Sequence, residues 1–229
     1  VVLWTFNGTG TDGSVDIISG QPWVDYGRNR LYVTSRAAGG AQQSLWAINT
    51  LNGALVASFA LLDVDTSPTM SFTSGALYVG NTSGSLYAID LNTLALKWSS
   101  AFVLGSAVTG FVWEDGAIPG RLYMTTADGN VRCVQDNGAS ASACAGWTVS
   151  TVAGASTPLV LDKLFVGSSD GKVHQINLTT GVDEKQFPAV GSLDGTTVGD
   201  VSTETGNEIF VGTSGGKIFR IALLTGALP

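Results

Sequence analysis

Residues 77–90, Leu77-Tyr78-Val79-Gly80-Asn81-Thr82-Ser83-Gly84-Ser85-Leu86-Tyr87-Ala88-Ile89-Asp90, read as two short apolar strands joined by a small polar turn. Tyr, Val and Ile suit a pleated surface, and the turn ends on a glycine that supplies the positive φ of a tight hairpin. The first strand recurs as Leu31-Tyr32-Val33, Leu122-Tyr123-Met124, Leu164-Phe165-Val166 and Ile209-Phe210-Val211, so five triplets start 46, 45, 42 and 45 residues apart. The second recurs in step as Leu45-Trp46-Ala47-Ile48, Val131-Arg132-Cys133-Val134, Val173-His174-Gln175-Ile176 and Ile218-Phe219-Arg220-Ile221. Because both series advance together, each pair belongs to one structural unit.

Two more strand signals flank each pair. Ahead of the triplets lie Thr69-Met70-Ser71-Phe72, Val108-Thr109-Gly110-Phe111-Val112, Thr157-Pro158-Leu159-Val160-Leu161 and Thr197-Val198-Gly199-Asp200-Val201. After the second run comes a turn (Asn52-Gly53, Thr93-Leu94, Thr180-Gly181, Thr225-Gly226) and then a closing run such as Ala95-Leu96-Lys97-Trp98. Four antiparallel strands recurring every 40 to 45 residues are the signature of a β-propeller blade. The expected fold is therefore all-β, a single propeller domain over 1–229 with units at about 19–62, 66–104, 105–152, 154–190 and 195–229. Residues 1–6 resemble an isolated closing strand. They either complete the last blade, giving a closed ring of five, or the chain is an arc of a larger ring.

Composition sets limits on function. No stretch keeps a helical period, and the apolar runs are far shorter than a bilayer-spanning helix. Net charge is −7 with only 13% charged residues. A nucleic-acid partner is not expected, since that surface needs clustered Lys and Arg. The Ser- and Thr-rich, weakly charged chain is expected in a secreted, extracellular or periplasmic setting, as a mature product or as the ordered part of something longer.

The two cysteines bear on the same point. Cys133 lies in a second-run strand and Cys144 just ahead of Trp147-Thr148-Val149. If those segments are neighbouring strands of one blade, a disulfide closes the loop between them and contributes roughly 2–3 kcal/mol. The alternative is two unrelated buried thiols. A bridge implies an oxidising compartment. No CxxC pair or His/Cys set with zinc spacing is present.

Leu77 to Gly84, Leu86-Tyr87-Ala88-Ile89-Asp90-Leu91-Asn92-Thr93 and Leu96-Lys97-Trp98 together resemble the repeat of the quinoprotein-like (pyrroloquinoline-quinone-type) β-propeller family. Its strands read like LYVGSSDG and LYALDAxTG, followed by a closing Trp. Leu164 to Gly181 and Ile209 to Gly226 match the first two elements. The third unit is longer and carries Gly120 and the cysteines, and the first has an enlarged turn over residues 36–43. The resemblance implies one of two roles. Quinone-dependent dehydrogenases of this family need a calcium or lanthanide ion, a catalytic carboxylate and an adjacent cysteine pair or equivalent stacking platform, and their rings typically have more blades; this chain has no Cys-Cys dipeptide. Non-catalytic relatives use the blades as platforms for protein assembly or adhesion.

His174 is the sole histidine and takes a strand position held elsewhere by Trp46, Tyr87, Arg132 and Phe219, so a structural role is expected. Asp12-Gly13-Ser14-Val15-Asp16 alternates oxygen side chains but lacks the glycine and distal glutamate of an EF-hand, and reads as a solvated loop. Asp63-Val64-Asp65 reads as an interblade turn. Trp4, Trp98 and Trp147 fall at the closing-strand position and are expected to pack between blades. Trp23 and Trp113 precede the triplets, and Trp46 sits in a second-run strand; any that reaches the channel mouth could stack on a sugar or grip a peptide. Asn7-Gly8-Thr9, Asn81-Thr82-Ser83 and Asn177-Leu178-Thr179 are sequons that matter only in a glycosylating host.

The expected function is a non-catalytic binding or scaffolding module, with no cofactor, no metal and no catalytic residue. Partners are other envelope or extracellular proteins, within a larger chain or assembly. A carbohydrate-binding or adhesive module is the alternative, and a fragment of a quinone-dependent dehydrogenase a more distant one. The longer connections, residues 7–22, 36–43, 113–120 and 135–146, are where a partner surface is expected.

Overall fold

Leu77 lies opposite Ile89, Tyr78 opposite Ala88 and Val79 opposite Tyr87, so the hairpin that decides the fold forms in the expected register. These pairings come from a computed structural model that describes residues 1–9, 12–37 and 42–223. The enlarged first turn and the 7–22 connection are therefore described only in part. The Thr225-Gly226 turn lies outside the described residues.

Short strands β1 (Gly8–Thr9) and β2 (Gly13–Ser14) pair with each other. The first blade sheet is β3 (Trp23–Asp25), β4 (Arg30–Thr34), β5 (Leu45–Asn49) and β6 (Leu55–Phe59). The second is β7 (Thr69–Ser71), β8 (Ala76–Gly80), β9 (Ser85–Asp90) and β10 (Phe102–Val103). The third contains β11 (Trp113–Glu114), β12 (Arg121–Thr125) and β13 (Asn130–Asp136), with β14 (Ala141–Ala143) following and β15 (Ser150–Thr151) pairing β13. The fourth is β16 (Leu159–Val160), β17 (Leu164–Gly167), β18 (Val173–Ile176) and β19 (Asp183–Phe187). The fifth is β20 (Val198–Ser202), β21 (Glu208–Thr213) and β22 (Ile218–Ala222) among the described residues. Adjacent blade strands are antiparallel, no helix occurs among the described residues, and the fold is that of β-propeller blades.

By their contacts the residues form two compact units, one of Val1–Val112 with Asp136–Ser142, the other of Trp113–Gln135 with Ala143–Pro229. In the first, strand alternation sends successive side chains to opposite faces. Tyr32, Leu45 and Ala47 meet Leu77, Val79 and Ile89 of the next sheet, while Val33, Trp46 and Ile48 form a separate cluster on the other face. In the second unit, Tyr123, Val131 and Cys133 pack on Leu164, Val166 and Ile176, and Phe165 and Val173 pack on Val198, Ile209 and Val211. Each such large apolar side chain stabilises the fold by about 1.5–3 kcal/mol when fully buried.

The turns repeat in hydrogen bonding as well as in sequence. In the second sheet Asn81 N donates to Ser85 O and Gly84 N to Asn81 O, with Gly84 at φ 78°. The same pair of bonds recurs at Thr126/Gly129, Ser168/Gly171 and Thr213/Gly216. In the following turns, Asn49, Asp90 and Asn177 accept backbone N–H bonds from residues two or three further on, the Asx-turn that starts such loops. Bulges fall at equivalent places in two sheets, between Ala47 and Ile48 and between Gln175 and Ile176.

The closing strands depart from the expectation. Ala95–Trp98 lies against β9, with Leu96 opposite Ile89, Asp90 N donating to Ala95 O and Lys97 N to Ala88 O, and after an interruption the pairing with β9 resumes at Phe102–Val103. Residues 1–7 form no strand. Lys97 and Trp98 are drawn toward Asp136. Trp4 donates its indole N–H to Thr50 O at 2.9 Å and packs with Phe6 on Val33, Trp46 and Ile48.

Candidate interaction surface

Of the sequence-selected residues, the structure joins the two cysteines. Cys133 and Cys144 form a disulfide with Cα atoms 5.4 Å apart, and Cys144 N donates to Cys133 O at 3.1 Å. Trp23 is half-buried against the cluster shared by the first two sheets, so packing accounts for it. Trp113, opposite Tyr123, keeps 37% of its surface exposed. Trp46 is fully buried and donates to Ser35 Oγ at 3.0 Å, which removes it as a ligand-stacking residue.

His174 is buried, as its strand position implies, but its partners were not visible in the repeat. Its Nδ1 lies 2.8 Å from Asp183 Oδ2 and its Nε2 3.1 Å from Asp170 Oδ2, tying a turn and the outer strand to β18. Burial pushes the Asp170 carboxyl up, and hydrogen bonds together with the nearby His174 charge outweigh that and leave it low. Asp12 is engaged by Thr9 within the β1–β2 hairpin. Asp63 accepts from Ala37 N, and Asp65 takes a two-point contact from Arg36 at 2.7 Å that lowers its pKa. Both aspartates thus act in turns.

Tyrosine and tryptophan fill the spaces beside the sheets in a repeated way. In the first unit Tyr78 and Trp98 have ring centroids 5.9 Å apart, and both reach Asp136. In the second unit Tyr123 and Trp147 are 5.4 Å apart, and Tyr123 Oη lies 2.9 Å from Leu178 O and 3.2 Å from Asp115 Oδ2. Burial, followed by the Asp115 charge, raises the Tyr123 phenol well above its ordinary value.

The fourth sheet fills its side differently, with Phe165 fully buried and Leu161 and Leu223 packed against its cluster. Phe165 stands where Tyr123 does, since each pairs with the innermost strand two residues before the turn, and Leu161 stands where Asp115 does. A cavity of about 570 Å³ lies beside them, with Leu161, Phe165 and Leu223 as its apolar lining and Lys163, Gln175 and Asn207 among its polar groups.

Two exposed aromatics had no functional reading from the sequence, and Phe72, expected within a strand segment, lies in the turn that follows β7. Tyr26 and Phe72 each follow the innermost strand of their sheet and are 85% and 67% exposed. Arg28, in the Tyr26 turn, pairs with Asp25 at 2.9 Å and reaches Asn92 Oδ1 in a turn of the second sheet, and Arg30 donates to Leu91 O. These bonds place the two sets of turns along one side of the first unit. The available signal was an aromatic in a turn position, where exposure has no packing reward.

Comparison with solved structures agrees with the architecture. Over 93% of its length the chain is similar to BamB from Moraxella catarrhalis, at 16% identity and a TM-score of 0.63. It is similar over 98% to the computationally designed Ika8 protein, at 15% identity and a TM-score of 0.68. Over 86% it is similar to the beta-propeller domain of Cps50 (Swd1) from Myceliophteria thermophila, at 11% identity and a TM-score of 0.64. The chain spans 63%, 63% and 62% of those three proteins. No protein-family model and no curated protein sequence matches it. At these identities the likeness is one of fold, and it defines the chain as β-propeller.

Proposed function

We propose that this chain is a non-catalytic, quinoprotein-like propeller module of the cell envelope or extracellular space that binds other proteins through the side carrying Tyr26 and Phe72. The observation that carries the reading is the exposure of both rings at corresponding turns of adjacent sheets. Aromatic side chains supply large, rigid contact area at low entropic cost, and exposed clusters of them mark interaction surfaces. The Arg28 bonds to Asp25 and Asn92 hold the turns in place, so binding would order little backbone. The Cys133–Cys144 bridge supports an oxidising location. The LYVG, LYAID and closing-Trp pattern supports the quinoprotein-like assignment.

The test is site-specific photocrosslinking in the source cells, with a crosslinker at position 26 or 72 and, as control, at Ser83 in a turn at the other end of the strands. A discrete protein adduct at 26 and 72 that is absent at 83, and lost with Tyr26→Ser and Phe72→Ser, is the expected result. Equal or absent adducts at all three positions would remove the reading. Dye reduction by the protein given pyrroloquinoline quinone, calcium and an alcohol would overturn the non-catalytic part. The exposure of Trp113 supports a second reading, a glycan contact. Glycan-array binding abolished by Trp113→Ala, and unaffected by changes at 26 and 72, would favour it.

A further inference from the structure

We propose that Asn7 is a modification site, at which the Gly8 amide nitrogen attacks the Asn7 side chain and turns the asparagine into aspartate or isoaspartate without an enzyme. Three Asn-Gly steps occur in the chain, Asn7-Gly8, Asn52-Gly53 and Asn137-Gly138. Exposure does not separate them, since all three asparagines are exposed. Backbone shape does not either, since the glycines have positive φ values of 104°, 71° and 90°. Hydrogen bonding does. Gly53 N donates to Asn49 O at 2.9 Å, and Asn52 Oδ1 accepts from Ala54 N at 3.0 Å. Gly138 N donates to Asp136 Oδ1 at 2.8 Å, and Asn137 Nδ2 donates to Ser142 Oγ at 3.0 Å. In both turns the nucleophile and the side chain it would attack are held.

The first step is arranged differently. Val15 N donates to Asn7 O at 3.0 Å, which makes Asn7 and Val15 a hydrogen-bonded pair of the β1–β2 ladder. The next pair, Gly8 opposite Ser14, is then the non-bonded kind, so the Gly8 N–H points out of the ladder. No described residue bonds the Asn7 side chain. In the reaction a bond forms between Gly8 N and Asn7 Cγ, the Cγ–Nδ2 bond breaks, and ammonia leaves with the proton of the Gly8 amide. Water then opens the five-membered imide at either carbonyl, and no other reactant is needed. Opening at the main-chain carbonyl gives isoaspartate, which lengthens the backbone by a methylene and turns the acceptor of Val15 N into a carboxylate. The change falls directly after Phe6, which packs with Trp4 on Val33, Trp46 and Ile48, so conversion loosens the hairpin beside that seat. The site is separate from Tyr26 and Phe72 and stands or falls independently of them.

Peptide mapping by mass spectrometry tests this on the full chain held at mildly alkaline pH, once folded and once in urea. In the folded chain Asn7 should convert at least about tenfold faster than Asn52 and Asn137, because reaction at those two waits on local opening of their turns. In urea the three rates should come within about threefold of one another, since the protecting bonds are gone. Asn7→Ser should abolish the fast conversion and leave the rates at positions 52 and 137 unchanged. The acidic isoform, separated by anion exchange, should exchange the Val15 amide hydrogen at least about tenfold faster than the parent. Equal rates at the three sites in the folded chain, a faster Asn52 or Asn137, or an Asn7 lead that persists in urea would overturn the proposal. An isoform whose Val15 amide exchanges as in the parent would overturn the effect on the hairpin.

Discussion

Trp98 donates its indole N–H to Asp136 Oδ1 at 3.0 Å, while the other carboxylate oxygen takes Lys97 Nζ and the Tyr78 hydroxyl at 2.7 Å each. Gly138 N adds a fourth bond at 2.8 Å. Burial pushes this carboxyl up, and the four donors together outweigh it, leaving the group below its ordinary range. Asp136→Ala should cost about 3 kcal/mol, because it leaves the largely buried Lys97 unpaired. Thermal unfolding should fall by roughly 6–12 °C. A shift under about 2 °C would show the cluster to be incidental.

The same carboxyl predicts an acid limb. A lowered native pKa means that the stabilisation is complete above about pH 4 and is lost as pH falls through the native value. Asp136→Asn should therefore flatten the fall in stability below pH 4 relative to the parent. Urea midpoints measured between about pH 2.5 and 6 would show it. Parallel curves would contradict the assignment.

Tyr123→Phe removes the hydroxyl held by Leu178 O and Asp115 while keeping the ring on Trp147. The loss should be about 1–2 kcal/mol, read as a lower urea midpoint with unchanged slope. The fourth sheet already carries this substitution naturally at Phe165, together with Leu161. The double variant Tyr123→Phe, Asp115→Leu should accordingly lose less than the sum of its single changes, since no carboxylate is left without its partner.

Cys133 and Cys144 close a loop with a sequence separation of 11. Cys133→Ala with Cys144→Ala should lower stability by about 2–3 kcal/mol. The parent should show no free thiol under denaturing conditions without reductant, and two with it. Two reactive thiols before reduction would contradict the bridge.

Gly181, at φ 73°, packs so closely that a Cβ would stand 2.0 Å from Thr148 O and 2.7 Å from the Trp147 ring. Gly75, at φ 63°, has nothing within 4 Å of the same added atom. Both Ala variants bear the left-handed backbone cost of about 1 kcal/mol, but only Gly181→Ala must also displace Trp147. Calorimetry should show the Gly181 variant at least about 2 kcal/mol less stable than the Gly75 variant.

The parts of this fold that repeat were legible in the sequence. Triplets such as Leu164-Phe165-Val166 announced strands because alternation and turn glycine act over a few neighbouring residues, and Trp98 and Trp147 were recognisable as packing residues from their shared position. What escaped were effects that depend on a partner distant in sequence. Asp170 and Asp183 reach His174 from a turn and from another strand, and nothing in the period of 45 residues signals that. The run at Ala95–Trp98 does lie against β9, but its pairing breaks after Lys97 and resumes at Phe102–Val103, an interruption that the period does not signal. Trp23, a ligand-facing candidate by position, is half-buried on the cluster of the first two sheets, while Tyr26, three residues on, is exposed without any mark in the repeat. The pocket beside Phe165 was readable only as a difference between repeats, a Tyr and an Asp that the fourth unit lacks.

The seating of Trp4 on Thr50 has a mechanical consequence. Residues 1–7 contribute no ladder that could unzip one hydrogen bond at a time. Tension applied at Val1 would reach the first sheet through an indole lodged on a turn. That end of the molecule should yield in one step when the ring leaves its seat, exposing Val33, Trp46 and Ile48 together.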